Sequence, residues 1–202
     1  MSDDAVATYR NRFDAYNAVA ENLKVLVEGH LTGVPNIDRV AARPKHPDRF
    51  AEKVGRRDED GGAKYRWPLT EIQDQLGVRV VVFYQESVEM VGDTLLRYLQ
   101  EIEQTQLVPE SHWEFGYFGR HYVMALPGDV VPNGVDIAEV PRFFELQIKT
   151  LFQHAWSEAN HDLGYKQAEP LTGEQERLLA FAAAQAWGAD RAFQELRTAL
   201  AS

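Results

Sequence analysis

Apolar and polar residues alternate with two different periods along the chain, and each period predicts one kind of secondary structure. Between Asp3 and Glu28 the apolar residues follow a helical spacing, which predicts an amphipathic helix. A Gly-Val-Pro segment at 33–35 ends that helix, and the alternation from Ile37 to Lys45 predicts a short strand. Pro47 to Arg57 returns to helical spacing. The charged segment 57–64 has no periodicity and contains two adjacent glycines, so it is predicted to be a loop.

The second half of the chain contains the clearest strand pattern. Val78 to Tyr84 is β-branched, aromatic and almost entirely apolar, which is typical of a central strand buried on both faces. Ser87 is a suitable N-cap for a helix that the apolar spacing extends to Gln104. The other predicted elements are strands at Tyr117 to Leu126 and Arg142 to Lys149, and helices at Leu151 to His161 and Gly173 to Leu200.

This order of elements indicates an α+β fold with a single mixed β-sheet flanked by helices. We expect about five strands, a common number for a sheet. At 202 residues the chain is long enough for one domain. We therefore predict a single domain, 1–202, with an N-terminal helix (1–32), a core (37–166) and a C-terminal helix (173–202). Apolar residues lie on adjoining faces of the last helix, so it packs either on the body or on another subunit.

Composition narrows the class of protein. Hydrophobic residues make up 45% of the chain and charged residues 26%, as in an ordinary globular protein. No apolar run reaches the roughly 18 residues of a membrane span, and Met1 to Arg12 is too polar for a signal peptide. We therefore predict a cytoplasmic protein without membrane contact. Because the chain has no cysteine, any catalysis must use carboxylates, histidines, hydroxyls or cations.

The charge pattern indicates which kind of ligand the protein can bind. A formal net charge of -10 argues against general nucleic-acid binding, which requires a concentrated basic surface. Positive charge nevertheless clusters within a short stretch that contains Arg39, Arg43, Lys45, Arg49, Lys53, Arg56 and Arg57. This cluster fits a small anionic ligand, and a solvated helix face explains it equally well.

Two acidic residues occupy unusual positions in the predicted sheet. Asp74 directly precedes the buried strand, and Glu145 lies inside the apolar strand at 142–149, where an uncompensated charge is costly to bury. Alternation along that strand puts Glu145, Gln147 and Lys149 on one face. One interpretation is that Glu145 pairs with a core arginine or faces water. The other is a magnesium site with two carboxylates.

Several blocks of residues, taken in order, resemble the synthetase domain of RelA/SpoT proteins. The blocks are Arg43-Pro44-Lys45 with Phe50 and Lys53, Asp74 to Arg79, Gly116 to His121, Glu145 to Thr150, and Trp156 through Asn160 and His161 to Lys166. Each block is weak by itself, but their common order and spacing make the resemblance specific. It covers residues 37–166 and implies a nucleotidyltransferase-like sheet in a small stand-alone alarmone synthetase.

The resemblance implies a reaction and a set of roles. The reaction is transfer of pyrophosphate from ATP to the 3′-hydroxyl of GDP or GTP, giving ppGpp or pppGpp and AMP, with Mg²⁺ as cofactor. By similarity, Asp74 and Glu145 hold the metal, and Glu145 also matches a residue that takes the proton of the attacking hydroxyl. By the same similarity, the adenine of the ATP donor is bound by Arg43 and Arg79, and its phosphates are bound by Lys45, Lys53 and Arg56. The acceptor nucleotide is bound by Tyr117, which stacks on the guanine, and by His121, Gln147 and Lys149 nearby.

The chain departs from the family pattern mainly on the acceptor side. Trp113 and Phe115 stand where a lysine and an asparagine are common, and Lys149 stands where arginine is usual. Two alternatives therefore stay open. One is a toxin-like relative that uses an adenine nucleotide or the 3′ end of tRNA as acceptor. The other is a nucleotide-binding module without catalysis.

One motif is rejected as a functional signal. His161-Asp162 looks like the motif of the family's hydrolase domain, but the other histidines are scattered without the pattern of that metal site. His154 and His161 share a helix face, and we expect them to pack around Trp156.

Overall fold

A five-stranded sheet forms the centre of the protein in a computed structural model that describes residues 2–106, 119–165 and 171–201. The strands are β1 (Ile37–Pro44), β2 (Leu76–Val82), β3 (Glu101–Gln106), β4 (Arg120–Ala125) and β5 (Phe143–Thr150). Their order across the sheet is β1-β2-β5-β4-β3. The β2–β5 pair is parallel and the other neighbours are antiparallel. The prediction of an α+β fold with one mixed sheet is confirmed.

Seven α-helices occur within the described residues. They are α1 (Ser2–Asn11), α2 (Phe13–His30), α3 (Pro47–Val54), α4 (Pro68–Glu71), α5 (Gln85–Leu95), α6 (Leu151–Tyr165) and α7 (Gly173–Ala201). Short 3₁₀ helices lie at Gln73–Gln75, Gly128–Val130 and Ile137–Glu139. None of the helices in this part of the chain has both the length and the apolar character needed to cross a membrane.

The hydrophobic core lies on one face of the sheet, beneath α2 and α5. Phe144, Leu146 and Ile148 of β5 are fully buried there, as their alternation with polar residues predicts. The helices contribute Val19, Leu23, Val27, Val88, Val91 and Leu95 to the same cluster. Glu145, Gln147 and Lys149, which alternate with these residues, point to the opposite face of the sheet.

The structure corrects the predicted helix from Ser87 to Gln104. The helix begins at Gln85 with Tyr84 as N-cap, so Ser87 lies inside it and is buried. It ends at Leu95, and Glu101–Gln106 forms the edge strand β3. No glycine or proline marks this boundary, and Leu99 and Ile102 continue the helical spacing. Pairing of β3 with β4 outweighs that local pattern, which only the folded chain can reveal.

The N-terminal segment also differs from the prediction. The single helix expected from Asp3 to Glu28 is two helices, α1 and α2, separated at Arg12, whose φ and ψ are -92° and 0°. The Tyr9 ring of α1 stacks on Phe50 of α3 at 4.0 Å. The break thus allows α1 to pack on α3 while α2 covers the sheet. The division of the chain at 1–32, 37–166 and 173–202 stays a prediction.

The long C-terminal helix α7 packs on the body through one of its faces. Trp156 of α6 packs against Ala183 of α7, and the Glu86 carboxylate at the start of α5 pairs with Arg197. Asp190 is buried and accepts a hydrogen bond from the Thr150 hydroxyl at the end of β5. The same hydroxyl accepts a bond from the Gln153 backbone N–H, and the Gln153 side chain accepts from the Thr150 N–H. This reciprocal capping box fixes the start of α6.

Removal of the Asp190 carboxylate should weaken the attachment of α7. We expect Asp190→Ala to lower the free energy of unfolding by about 2 kcal/mol, because it breaks a buried hydrogen bond to a charged group. Asp190→Asn keeps an acceptor oxygen and should lose less. Denaturant unfolding of the two variants measures the difference, and equal stability of Asp190→Ala and the unmodified protein would contradict this role.

Candidate active site

A cleft of about 1310 Å³ lies on the polar face of the sheet, opposite the hydrophobic core. Its floor is formed by β1, β2 and β5, and α3 and α6 contribute residues to its walls. Nine of the residues predicted from the sequence line it, namely Arg43, Lys45, Lys53, Arg56, Asp74, Arg79, Glu145, Gln147 and Lys149. The register of the parallel pair explains part of this convergence, because Gly77 lies beside Glu145 and Arg79 beside Gln147.

Asp74 lies at the base of the cleft, directly before β2. Its Oδ2 atom is 3.0 Å from the Lys45 Nζ atom and 2.9 Å from the Lys53 Nζ atom. Its Oδ1 atom is buried and has no hydrogen-bond partner within the described residues. Burial would raise the pKa of Asp74, but the two lysines outweigh burial and lower it. The carboxylate is therefore ionised at neutral pH and has one oxygen available to a ligand.

Residues outside the cleft hold the backbone around Asp74. The Tyr9 hydroxyl of α1 donates to the carbonyl oxygens of Lys45 and Gln75, at 2.7 and 3.2 Å. The Lys45 backbone N–H also donates to the Gln75 carbonyl at 2.8 Å. The Gln75 side chain donates to the carbonyls of Leu69 and Ile72, each at 2.8 Å. The N-terminal helix thereby fixes the position of Asp74 relative to its lysine partners.

Glu145 occupies the centre of the polar stripe on β5. Its Oε1 atom is 3.1 Å from the His121 Nδ1 atom, and its Oε2 atom accepts a hydrogen bond from the Gln147 amide at 2.8 Å. Burial raises the pKa of Glu145 and so does the charge of Asp74, but His121 and Gln147 lower it further than these raise it. Among the described residues the partners of Glu145 are a histidine and an amide, so it does not pair with an arginine there. Its side chain faces the cleft.

The donor set fits a magnesium ion. Magnesium is held in proteins by one or two carboxylates, and substrate phosphates and water complete its octahedral shell. Asp74 and Glu145 are close enough for the charge of one to raise the pKa of the other, and Asp74 has a buried oxygen without a partner. Residues 2–106, 119–165 and 171–201 contain no cluster of three or more His, Asp or Glu side chains that could form a closed metal cage. Two carboxylates would leave the rest of the shell of a magnesium ion to water and to substrate oxygens.

Arg79 connects the floor of the cleft to α6. Its Nη1 atom donates to the Glu158 Oε1 atom at 2.7 Å and lies 3.2 Å from the His154 Nδ1 atom, and its Nε atom donates to the Gln147 Oε1 atom at 3.3 Å. The expectation that His154 packs around Trp156 is wrong. His154 faces the cleft, while Trp156 points the other way toward α7.

Lys149 is the most deeply buried cation of the site, with 4% of its surface exposed. Its Nζ atom donates to the Ser157 hydroxyl of α6 at 3.2 Å. Burial, and then the like charge of Arg79, lower the pKa of Lys149 to about 8. The protonation state of this lysine therefore changes in the range where enzymes are commonly assayed.

The remaining predicted residues differ in their position relative to the cleft. Arg43 lies on the edge strand β1 and is exposed to the cleft, and Arg56 lines it just after α3 ends. His121 is not among the lining residues but contacts Glu145 from the neighbouring strand β4. Tyr117 lies outside the described residues, as do Trp113 and Phe115.

Sequence reasoning missed the contribution of α6 to the cleft. The lining residues of this helix are His154, Ser157, Glu158 and His161. Their spacing of three, four and seven residues puts them on one helix face, so the sequence could have indicated a polar stripe on the helix that follows β5. Glu158 in particular carries a charge that pairs with a predicted site residue.

The fold and the cleft together indicate a class of protein. A carboxylate pair at adjacent sheet strands, surrounded by three lysines and several arginines, is suited to a metal-bound polyphosphate ligand. Residues 42–170 match the family described as the region found in RelA/SpoT proteins. The chain belongs to this family.

Individual relatives agree with the family assignment. The curated GTP pyrophosphokinase YjbM of Bacillus subtilis (strain 168) is 27% identical over 162 residues, which are 75% of this chain and 70% of that protein. The crystal structure of small alarmone synthetase 1 from Bacillus subtilis, bound to its product pppGpp, has a TM-score of 0.76 at 22% identity and covers 96% of this chain and 98% of its own. A GTP pyrophosphokinase family protein from Streptococcus pneumoniae also has a TM-score of 0.76, at 24% identity, and covers 95% of this chain and 94% of its own. These two structures share the fold of this chain.

Proposed function

We propose that this protein transfers the β,γ-pyrophosphate of ATP to the 3′-hydroxyl of GDP or GTP, producing ppGpp or pppGpp and AMP. The observation that carries the proposal is the juxtaposition of Asp74, its two lysines and Glu145 in one cleft, in a chain of the RelA/SpoT family. The 3′-oxygen forms a bond to the β-phosphorus, and the bond from that phosphorus to the bridging oxygen on the α-phosphate breaks. The hydroxyl proton leaves to a base or to water.

The donor nucleotide is proposed to occupy the side of the cleft near β1 and α3. Lys45 and Lys53 are paired with Asp74 in the structure, and Arg56 lies in the same region. A triphosphate brings several negative charges to these cations and competes with Asp74 for the lysines. Arg43 and Arg79 supply planar guanidinium groups, whose faces are suited to stacking on the adenine base.

Asp74 and Glu145 are proposed to hold Mg²⁺, which when bound would offset the negative charge of the phosphates. The free Oδ1 atom of Asp74 supports the first assignment. His121 and Gln147 orient the Glu145 carboxylate and keep it ionised. Because its pKa is lowered, Glu145 is a weak base, so we assign it first as a metal ligand and second as the acceptor of the hydroxyl proton.

The acceptor nucleotide is proposed to lie on the side of the cleft toward β4 and β5. Gln147 and Lys149 face this region from β5, and His121 reaches Glu145 from β4. By resemblance, Tyr117 stacks on the guanine of the acceptor. We also propose a cytoplasmic location, where both nucleotides would be available.

A transfer assay tests the proposal. Purified protein is incubated with magnesium, ATP labelled at the β-phosphate, and GDP, GTP, ATP or tRNA in turn. Labelled ppGpp or pppGpp is the expected product. Label in an adenosine product or in tRNA would replace the acceptor in the proposal, and ATP binding without transfer to any acceptor would refute the enzymatic function.

The pH dependence of the reaction should reflect Lys149. Its ammonium group, which is proposed to bind acceptor phosphate, is present below its pKa of about 8 and is lost as the pH rises through that value. We expect kcat/KM for GDP to fall above pH 8 for this reason, since this parameter reports ionisations of the free enzyme and free substrate. Lys149→Arg stays charged and should move the fall to higher pH. An unchanged alkaline limb in that variant would assign the ionisation to another group.

We further propose that the protein self-associates through α7. Five apolar side chains of this helix are at least half exposed, namely Leu178, Phe181, Phe193, Leu196 and Leu200. Such a row of exposed apolar residues is unusual for a monomer surface. The mass in solution, measured by light scattering, should exceed that of one chain, and Phe181→Glu should reduce it. A monomeric mass for the unmodified protein would refute this proposal.

A further inference from the structure

The ion pair between Arg79 and Glu158 joins two elements of the cleft that are distant in sequence. Arg79 lies on β2 and Glu158 on α6, and the two side chains meet at 2.7 Å. Among the carboxylates of the described residues, Glu158 is the one that pairs with Arg79. The other two contacts of the guanidinium, to Gln147 and His154, involve groups that carry no negative charge.

A negatively charged partner favours this position of Arg79. Lys149 is buried nearby, and after burial itself the charge of Arg79 is the main cause that lowers the pKa of Lys149. Arg79 and Lys149 therefore repel each other across the floor of the cleft. Without Glu158, this repulsion would favour rotamers that carry the guanidinium away from the floor and out of the cleft.

The contacts of Arg79 all involve the edge of its guanidinium group. Glu158, His154 and Gln147 meet nitrogen atoms, which leaves the planar faces of the group uncovered by these partners. Hydrogen bonds from the edge of the guanidinium group to fixed groups hold its plane in one orientation. Stacking on a flat ligand depends on that orientation.

We propose that Glu158 is a positioning residue for the donor nucleotide, acting by holding the face of Arg79 toward the base. This inference rests on the proposed function, because it takes the donor base to lie against Arg79. It predicts that Glu158 contributes to binding of the base and contributes nothing to binding of the triphosphate. The triphosphate is proposed to lie against Lys45 and Lys53, which pair with Asp74 elsewhere in the cleft.

Equilibrium binding separates this role from a structural one. The ligands are an unreactive ATP analogue with a methylene bridge between the α- and β-phosphates, and inorganic tripolyphosphate, each with magnesium. We expect Glu158→Ala to weaken binding of the analogue about fivefold, the loss of one partly solvated stacking contact, and to leave tripolyphosphate binding unchanged. Glu158→Gln keeps an acceptor for the Arg79 N–H and should weaken the analogue less.

Two controls complete the design. Glu195→Ala removes a carboxylate that pairs with Arg191 at 2.8 Å on the exposed side of α7. It should leave the binding of both ligands unchanged. In an Arg79→Ala background, adding Glu158→Ala should have no further effect, because Glu158 acts through Arg79.

The possible results test the positioning role of Glu158 and the proposed function separately. Unchanged analogue binding by Glu158→Ala, equal weakening of both ligands, or an additional loss in the Arg79→Ala background would each overturn the positioning role while leaving the proposed function intact. Failure of the unmodified protein to bind the analogue at all would overturn the proposed function, and this inference with it.

Discussion

Replacing Asp74 with asparagine should reduce pyrophosphate transfer by at least about a hundredfold, the size of effect seen when one charge-stabilising group is removed from an active site. Asparagine keeps the shape of the side chain but loses the negative charge that attracts a magnesium ion. It also leaves Lys45 and Lys53, both within 3.0 Å of the carboxylate, without their shared partner. The measurement is the initial rate of ppGpp formation across a series of magnesium concentrations.

The Asp74 variant needs a control for charge removal and for folding. Asp129→Asn changes an exposed aspartate that does not line the cleft, and its rate should match that of the unmodified protein. Thermal unfolding should show that the Asp74 variant is folded at the assay temperature. Full activity in Asp74→Asn would show that the metal is held elsewhere.

Alanine at Gly119 should disrupt the centre of the sheet. A Cβ atom at this position would lie 2.3 Å from the Ile148 carbonyl oxygen and 2.5 Å from the Lys149 Cγ atom. Gly119 directly precedes β4 and the first of these neighbours is backbone of β5, so we expect the start of β4 to move away from β5. We expect the free energy of unfolding to fall by about 2–3 kcal/mol, as for an overpacked core.

The same substitution should also impair catalysis in the molecules that remain folded. His121, two residues along, contacts Glu145 at 3.1 Å, and displacement of β4 would break that contact. Gly188→Ala is the matched control, since a Cβ there meets nothing within 4 Å in the interior of α7. Helix propensity predicts that this control is as stable as the unmodified protein or more so. An unchanged unfolding midpoint for Gly119→Ala would mean that the strands separate at little cost.

The sequence predicted best those features that depend on local pattern. The alternation along β5 correctly placed Glu145, Gln147 and Lys149 on one face, because side-chain direction in a strand has a strict period of two. The apolar run from Val78 to Tyr84 correctly identified β2, which spans Leu76–Val82. Local pattern was misleading at β3, where Leu99 and Ile102 fit a helix and the strand exists because it pairs with β4.

Features that depend on long-range packing could not be read from one sequence. The resemblance to RelA/SpoT proteins brought Lys45, Lys53 and Asp74 together correctly, but it did not predict that the lysines pair with the aspartate. Likewise, the partner of Arg79 is on α6, and the direction of that helix depends on the capping box of Thr150 and Gln153 and on the buried Asp190.

The parallel pairing of β2 with β5 has a consequence for how the enzyme is made. Asp74 and the donor-side cations belong to the first half of the chain, whereas Glu145 enters the sheet only with β5, beside Gly77. Closing a long loop costs entropy that only the finished sheet recovers, so this pairing forms late in folding. A growing chain on the ribosome therefore carries the first of its two proposed metal ligands long before the second, and we expect no pyrophosphate transfer until β5 has been synthesised and inserted.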